Sequence, residues 1–442
     1  MAFDLAQYTA RIAELDCMSY EGQITRVTGS IVEAKGPPVG VGQLCHIVPR
    51  NGGARRATRA EVIGFRESTT ILMPLEKLHG VQAGDKVVSS PTDLAVGLGE
   101  GLLGRVLDGL GTPIDEGPHI LCPHSAPIDK PPPHPLRRKP ITEPFCTGMR
   151  AIDASLTLGK GQRVGIFSGS GVGKSTLLGE IARGSEADAN VISLIGERGR
   201  EVRHFIEQNL GPDGLRKSVV IVATADAPPL LKIKAAYTST TIAEYLRDRG
   251  MDVLFMMDSL TRVATAQREV GLAAGEPPTT RGFPPSAFSL IPALSERLGN
   301  SEKGSITGVY AVLVERDDFT EPVADTVRST LDGHIALSRR LADRGHYPAI
   351  DVLGSVSRVI RSVAGREHLE AARKLKAILS TYSEAEDLIK IGAYASGSSP
   401  SIDRAIELMP ALQAFLCQRI DERDSIAGAV AKLEDIVARW EF

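Results

Sequence analysis

The sequence has few cysteines, few aromatic residues and no long apolar run. Its five cysteines are scattered through 442 residues without any Cys-x-x-Cys pair, which argues against a zinc site or a disulfide framework and for reduced thiols. Aromatic residues make up 5% of the chain, and Trp440 is the single tryptophan. No apolar run approaches the roughly 18 residues that cross a bilayer, and no signal peptide is evident. We therefore expect a cytoplasmic protein whose membrane contact depends on a partner.

A surplus of charge of one sign is also missing. Lys and Arg total 51 against 54 for Asp and Glu, whereas nucleic-acid-binding domains usually have a basic surplus, so no nucleic-acid partner is expected. Hydrophobic residues at 42% provide enough side chains for cores. The length predicts two or three domains.

Residues 161–176 combine an apolar strand, a glycine-rich turn and the start of a helix, which is the context of a P-loop. Backbone N–H groups of such a turn converge on phosphate, and the helix N-terminus adds its positive dipole end. Lys174 would reach the β- and γ-phosphates of ATP, and the Ser175 hydroxyl would bind Mg²⁺. The alternative is a glycine-rich turn that binds nothing. The predicted nucleotide-binding residues are Ser168, Gly169, Ser170, Gly171, Val172, Gly173, Lys174, Ser175 and Thr176.

Two further apolar runs end in acidic residues. The run at 253–257 is followed by Asp258, in the form of a Walker B strand, and the carboxylate is predicted to bind Mg²⁺ opposite Ser175. A helix cap beside Ser259 is the alternative. Glu197 follows a run that ends at Ile195, where a carboxylate could polarise the water that attacks the γ-phosphate. A surface cluster of ion pairs is the alternative there.

The hydrophobic pattern changes along the chain and predicts four segments. Residues 1–20 have amphipathic helical spacing, either for packing on their own domain or for docking another protein. Short alternating runs at 21–95 predict a small β-barrel. Residues 96–365, including a proline-rich linker, predict an α/β ATPase domain of the RecA-like P-loop type with a parallel sheet covered on both faces. Residues 366–442 have only helical patterns and predict a helical C-terminal domain.

Several motifs occur in an order that makes the chain, from about residue 22 to 418, similar to the catalytic-subunit family that includes the rotary ATP synthases. Within that family it most resembles the type III protein-export ATPases. The family usually has Ala or Gly at the position of Ser168 and Gly at that of Arg316. The motifs are Gly-Glu-Arg-Gly-Arg-Glu at 196–201, Asp-Ser-Leu-Thr-Arg at 258–262, Gly-Glu-Pro-Pro-Thr-Thr-Arg-Gly at 275–282, Leu-Asp-Gly-His-Ile at 331–335, Gly-His-Tyr-Pro-Ala-Ile-Asp at 345–351 and Asp-Leu-Ile-Lys-Ile-Gly-Ala-Tyr at 387–394.

The resemblance implies roles for individual residues. Glu197 resembles the catalytic carboxylate of the family, with Arg198 and Glu201 as its neighbours. Arg262 resembles an arginine that lines the site after the Walker B strand. Tyr347 resembles the aromatic residue that stacks on adenine. Arg358 resembles an arginine finger offered to the nucleotide of an adjacent subunit, and the family forms hexameric rings. On spacing alone, Tyr347 could be a core residue and Arg358 a solvated charge.

Three kinds of ring ATPase remain open: a flagellar export ATPase, an injectisome (virulence) export ATPase and an RNA-translocating ring of the terminator type. Segments 33–37, 72–75 and 103–109 resemble the flagellar branch, which we favour. An RNA-translocating ring would have aromatic stacking platforms before its ATPase core. The only aromatic residues in the sequence from 20 to 95 are Tyr20 and Phe65, which argues against such a ring.

The flagellar reading implies several partners. The first helix resembles a segment that binds a stalk-like negative regulator. The C-terminal helices would face export-gate membrane proteins and chaperone–substrate complexes, beside further copies of the chain in a homohexamer. This reading implies a cytoplasmic protein, peripheral to the inner membrane at the export apparatus.

Overall fold

The computed structural model describes residues 20–50, 57–314, 320–420 and 422–440. The helix expected at 1–20 lies, apart from residue 20, outside the described residues, as does Arg316. The described chain forms a barrel, a large mixed sheet with helices on both faces, and a group of C-terminal helices. This arrangement confirms the predicted fold class, whereas the exact domain bounds stay a prediction.

The first six strands close into a barrel in the order β1-β2-β5-β4-β3-β6. Alternate residues such as Ile24, Val32 and Leu72 point inward and fill it. The apolar run at 22–32 is divided between two strands at Gly29, whose φ of +59° suits a turn. The strands are β1 (Glu21–Thr28), β2 (Ile31–Lys35), β3 (Leu44–Val48), β4 (Thr58–Arg66), β5 (Thr69–Pro74) and β6 (Lys86–Ser89).

The central sheet has the order β19-β18-β12-β17-β15-β13-β14-β8. Its core strands are parallel and buried along their whole length, as expected for a sheet covered on both faces. The sequence patterns did not reveal the edge, where β19 runs antiparallel to β18. The strands are β8 (Val106–Asp108), β12 (Arg163–Ser168), β13 (Ala189–Ile195), β14 (Ser218–Ala223), β15 (Asp252–Asp258), β17 (Ser305–Leu313), β18 (Gly333–Leu337) and β19 (Ile350–Ser357).

Short strand pairs join the barrel to this sheet. Residues 102–115, for which the sequence patterns predicted no strand, supply β8. There the Asp115 carboxylate accepts a hydrogen bond from the Val106 N–H (2.8 Å) and pairs with Arg105. In the proline-rich crossing, Arg138 donates to the Leu298 carbonyl at 2.7 Å. The short strands are β7 (Ala95–Leu98), β9 (His124–Pro127), β10 (Pro144–Phe145), β11 (Leu158–Gly159) and β16 (Gly299–Asn300).

Helices cover both faces of the sheet and make up the C-terminal region. Among the described residues, no helix is long and apolar enough to cross a membrane. The α-helices are α1 (Arg150–Ser155), α2 (Lys174–Gly184), α3 (Gly199–His204), α4 (Gly211–Arg216), α5 (Pro229–Asp248), α6 (Leu260–Ala274), α7 (Pro285–Ser295), α8 (Pro322–Thr330), α9 (Arg339–Ala342), α10 (Ile360–Val363), α11 (Arg366–Lys390), α12 (Pro400–Leu416) and α13 (Ile426–Val437), with a π-helix at Phe205–Leu210 and 3₁₀ turns at Glu100–Leu102, Pro135–Arg137 and Thr280–Gly282.

Candidate active site

The glycine-rich turn follows the carboxyl end of β12, which is an interior strand of the sheet. β12 pairs with β17 on one side and β18 on the other, so the turn opens at the sheet edge where ligands of such folds bind. Gly171 and Gly173 have φ of +80° and +90°, a conformation that other residues rarely adopt. α2 begins directly at Lys174. The local geometry is therefore that of a phosphate-binding loop, with helix N–H groups facing the opening.

Two acids and two cations meet beside this turn. The Asp258 carboxylate at the end of β15 contacts the Lys174 ammonium, and the Glu197 Oε1 atom lies 3.9 Å from the Lys174 Nζ atom. The Arg262 Nε atom lies 3.4 Å from the same Glu197 oxygen. The side chains of Lys174, Glu197 and Asp258 are only 10%, 14% and 4% exposed. The residues that the sequence singled out at three separate strand ends thus form one cluster.

The environment of Glu197 changes its acidity. Burial raises the pKa of its carboxyl to about 7, and a hydrogen bond with Glu201 and the nearby Asp258 charge act in the same direction. Lys174 and Arg262 oppose this shift without cancelling it. The same hydrogen bond lowers the pKa of Glu201. Glu197 is therefore a carboxyl group poised to take up a proton near neutral pH, as a general base requires.

A cavity of about 1100 Å³ encloses this cluster. One wall is a face of α6, on which Thr261, Thr265 and Arg268 follow helical spacing. The Arg268 guanidinium stands 5.2 Å from the centre of the Phe283 ring. The lining residues predicted from the sequence are Ser168, Gly169, Ser170, Gly171, Gly173, Lys174, Ser175, Thr176, Glu197, Arg198, Asp258 and Arg262, with Glu201 expected as a neighbour of Glu197; those not predicted as site residues include Thr261, Thr265, Arg268, Arg281, Phe283, Glu321 and Arg339.

Two predicted nucleotide-binding residues, Val172 and Tyr347, lie outside this lining, and Arg198 is only at its border. Val172 is buried at 2% exposure, and the Arg198 side chain is 79% exposed. Tyr347 is 46% exposed, and its ring lies 3.5 Å from where a Cβ atom would stand on Gly173. Its ring is therefore available beside the P-loop for a flat ligand group.

Arg358 lies at the opposite end of the sheet. Its neighbour Ser357 pairs with Gly333, which is level with Val164 because His334 pairs with Gly165. Five residues at about 3.3 Å each separate Val164 from the P-loop residue Gly169, so the two sites are roughly 17 Å apart along the strand. That distance exceeds the reach of one arginine side chain. The chain does not bring Arg358 to its own P-loop.

The cavity has oxygen donors suited to Mg²⁺. The Ser175 hydroxyl and the Asp258 carboxylate both border it, and hard oxygen atoms are the ligands that Mg²⁺ prefers. No group of three His, Cys, Asp or Glu residues that could hold a metal by itself occurs in the described part of the chain. These residues therefore fit a metal that also binds the phosphates of its nucleotide.

A P-loop lysine, a Walker B carboxylate and a buried acid at the carboxyl ends of strands in one parallel sheet define a nucleoside triphosphatase of the RecA-like class. Comparison with known proteins is more specific. Residues 148–357 match the ATP synthase alpha/beta family, nucleotide-binding domain, residues 24–90 match the beta-barrel domain of that family, and residues 364–435 match the T3SS EscN ATPase C-terminal domain.

Relatives match over nearly the whole chain. The flagellum-specific ATP synthase of Bacillus subtilis (strain 168) is 51% identical over 97% of this chain and 99% of its own length. The type 3 secretion system ATPase of Xanthomonas euvesicatoria is 48% identical over 94% and 93%. The assembled ATPase EscN of enteropathogenic E. coli is 45% identical, with a TM-score of 0.88 over 94% of this chain and all of that chain, and it has also been solved with its central stalk EscO.

The chain belongs to the ATP synthase alpha/beta family, in the group formed by the flagellum-specific ATP synthases and the type III secretion ATPases. The predicted family, the ATPase activity and ATP as the nucleotide are confirmed at this level. The roles of individual residues stay predictions.

Proposed function

We propose that this protein hydrolyses ATP with Mg²⁺ to energise the type III export of flagellar proteins. The observation that carries the proposal is the buried contact of Lys174, Glu197 and Asp258 at the mouth of the P-loop. The full-length likeness to the Bacillus subtilis flagellum-specific ATP synthase supports the flagellar assignment.

Binding of the triphosphate would rearrange the charges of the cluster. The β- and γ-phosphates replace Asp258 as the partner of the Lys174 ammonium, which frees the carboxylate for Mg²⁺ beside the Ser175 hydroxyl. Bound Mg²⁺ neutralises charge that develops on the phosphates. Tyr347 stacks on the adenine, since its ring stands beside Gly173 on the outer side of the turn.

Glu197 then acts on the attacking water. Its carboxylate accepts a proton as the water oxygen bonds to the γ-phosphorus and the bond from that phosphorus to the β–γ bridging oxygen breaks. The products are ADP and inorganic phosphate, and the proton on Glu197 passes to solvent. Arg262 holds the Glu197 carboxylate in place from the α6 side.

The arginine finger comes from a second copy of the chain. Arg358 stands at the far end of the sheet, so we infer that it completes the site of an adjacent subunit in a homohexamer, and the assembled state of EscN supports this arrangement. By analogy with the EscN–EscO complex, we also propose a stalk-like partner. We further propose that a negative regulator binds the helix predicted at residues 1–20, and that the other partners are export-gate proteins and chaperone–substrate complexes. The proposed location is the cytoplasmic face of the inner membrane.

The test is specific ATPase activity measured against the concentration of the purified full chain. If two copies share each site, activity per molecule should rise steeply with concentration and reach a plateau as the ring forms, in step with the oligomer measured by light scattering. A constant specific activity down to concentrations at which only monomers are detected would contradict the shared site.

A further inference from the structure

The segment from Ser338 to Ala349, which we name the Tyr347 loop, borders the nucleotide site. Its two ends are joined because the Ser338 N–H donates to the Ala349 carbonyl at 2.8 Å. On the inner side, Arg339 Nη2 donates to the Ser170 carbonyl of the P-loop at 3.1 Å, and the Tyr347 ring stands beside Gly173. The position of this loop therefore decides where the Tyr347 ring lies relative to the P-loop.

The outer side of the Tyr347 loop is held by the C-terminal helices. The Gln418 N–H donates to the Tyr347 carbonyl at 3.0 Å, just beyond the end of α12. On α11, the Glu386 carboxylate accepts a hydrogen bond from Arg344 at 2.8 Å and one from Arg340 at 3.4 Å. Each of these contacts joins a residue of the loop to one far along the sequence.

Apolar packing alone does not fix the loop. A cavity of about 120 Å³ lies between the loop and helices α11 and α12, and its lining combines apolar residues such as Leu341 and Met409 with the charged side chains of Arg344 and Glu386. Space of this size leaves part of the loop without close contacts beneath it. Its position consequently depends on the polar contacts at its edges.

Glu386 is the most buried member of the polar anchor. Its side chain is 9% exposed, whereas those of Arg340, Arg344 and Lys390 are 63%, 46% and 52% exposed. Hydrogen bonds from Lys390 and Arg344 lower the pKa of Glu386, so the carboxylate is charged at neutral pH. An ionised acceptor makes stronger hydrogen bonds than a neutral one, and a neutral substitute would weaken all three contacts together.

We propose that Glu386 is a positioning residue for the nucleotide site: it anchors the Tyr347 loop to α11 and thereby sets the affinity for the base of ATP. Glu386 does not line the nucleotide cavity and acts only through the loop. The inference depends on the adenine-stacking role proposed for Tyr347 above, and the experiment separates the two.

The test compares Glu386→Gln with wild type in the full chain. We expect the KM for ATP and the dissociation constant of a fluorescent ATP analogue to rise about five-fold, because part of the charged hydrogen-bond energy is lost. The kcat should stay within two-fold, because no catalytic group moves. Affinity for inorganic tripolyphosphate, which has no base, should not change. Glu370→Gln is the matched control, since Glu370 lies on the same helix and pairs only within it with Arg373.

A double-mutant comparison identifies the route of the effect. In a Tyr347→Ala background, Glu386→Gln should weaken ATP binding no further, because the residue through which it acts is gone. Arg344→Gln, at a half-exposed position, should reproduce the effect and provides a second variant if Glu386→Gln melts at a lower temperature than wild type.

Three outcomes would overturn the proposal. The first is an unchanged KM for ATP in Arg344→Gln and in folded Glu386→Gln while Tyr347→Ala weakens binding. The second is an equal loss of tripolyphosphate affinity, which would indicate general damage to the P-loop. The third is normal ATP affinity in Tyr347→Ala, which would remove the adenine role of Tyr347 as well.

Discussion

The two ends of the central sheet carry charged groups in different ways. At the carboxyl end, Lys174, Glu197 and Asp258 are buried around an open cavity. At the amino end, the Asp332 carboxylate accepts hydrogen bonds from the backbone and the guanidinium of Arg163, both at 3.0 Å. In the first cluster, the Glu197 carboxylate lies 3.9 Å from Lys174 and 3.4 Å from Arg262, so its ion pairs are long. In the second, the Asp332 carboxylate accepts close hydrogen bonds that hold the backbone of Arg163.

On the proposed function, the carboxyl end is the receiving end, which binds ATP, and the amino end is the donating end, which offers Arg358 to an adjacent subunit. Burial at the carboxyl end, together with the Glu201 hydrogen bond, raises the pKa of Glu197 to about 7, which suits the proton transfer proposed for it. At the amino end, the Asp332 carbonyl accepts from the Arg358 N–H at 3.0 Å, which holds the backbone of Arg358 while its guanidinium reaches only the Arg328 carbonyl. Among the described residues no carboxylate pairs with Arg358. Its charge is thus available to another subunit.

The largest expected effect tests the receiving end. Glu197→Gln should lower kcat by roughly 10³-fold or more, because the amide cannot accept a proton from the attacking water. Nucleotide binding should be retained, since Lys174 and the P-loop are unchanged. Steady-state ATPase assays and titration with a fluorescent ATP analogue measure the two properties separately.

Glu207→Gln is the matched control, because Glu207 lies close in sequence but is half exposed and pairs with Arg203. It should keep wild-type activity. A Glu197→Gln protein that has lost nucleotide binding would show that Glu197 maintains the shape of the pocket and has no direct part in the chemistry.

The sequence was most informative where chemistry follows a buried strand directly. Lys174, Glu197 and Asp258 could each be found because an apolar run ends just before them, and parallel strands bring such ends to one edge. Tyr347 and Arg358 were identified by resemblance alone. Each lies just outside one end of the antiparallel edge strand β19, whose sequence shows no simple alternation of apolar and polar residues.

Other parts of the site could not be predicted because they depend on long-range packing. Arg268 lines the cavity on a face of α6, and its helical spacing with Thr261 and Thr265 was a signal that could have been read. No local signal reveals the pairing of Glu386 with Arg344, since only the folded helices bring positions 42 residues apart together. The strand at Val106–Asp108 was similarly hidden in a segment read as an approach to a linker.

The next effect tests the donating end. Arg358→Ala should lower kcat about 10³-fold, as expected for loss of an arginine finger, without weakening nucleotide binding. Lys174→Ala should also be inactive, because it removes the cation that binds the phosphates. If the two residues act on the same ATP from different subunits, a mixture of the two inactive variants should regain part of the wild-type activity.

Arg361→Ala is the control for the donating end, because Arg361 is an exposed arginine three positions further along. It should remain active both alone and in mixtures. Mixtures of Arg358→Ala with Lys174→Ala that stay inactive, although light scattering shows mixed oligomers, would rule out a site shared in this way.

The smallest effect concerns pH and tests the Glu197 carboxyl at the receiving end. Since burial and the Glu201 hydrogen bond raise the pKa of Glu197 to about 7, its carboxyl gains a proton as the pH falls through that value. The protonated form cannot accept a proton from water, and kcat/KM follows the protonation state of the free enzyme, so kcat/KM should fall about ten-fold per pH unit below pH 6.5 and level off above pH 8. The measurement is kcat/KM for ATP between pH 5.5 and 9.

Arg358→Ala leaves the Glu197 carboxyl and its surroundings unchanged. Residual activity in Arg358→Ala should therefore follow the same pH curve as wild type at a lower level, whereas residual activity in Glu197→Gln should lose the acidic limb. A wild-type kcat/KM that does not change between pH 6 and 8 would mean that Glu197 does not accept the proton from the attacking water. An acidic limb that persists in Glu197→Gln would place the titrating group elsewhere.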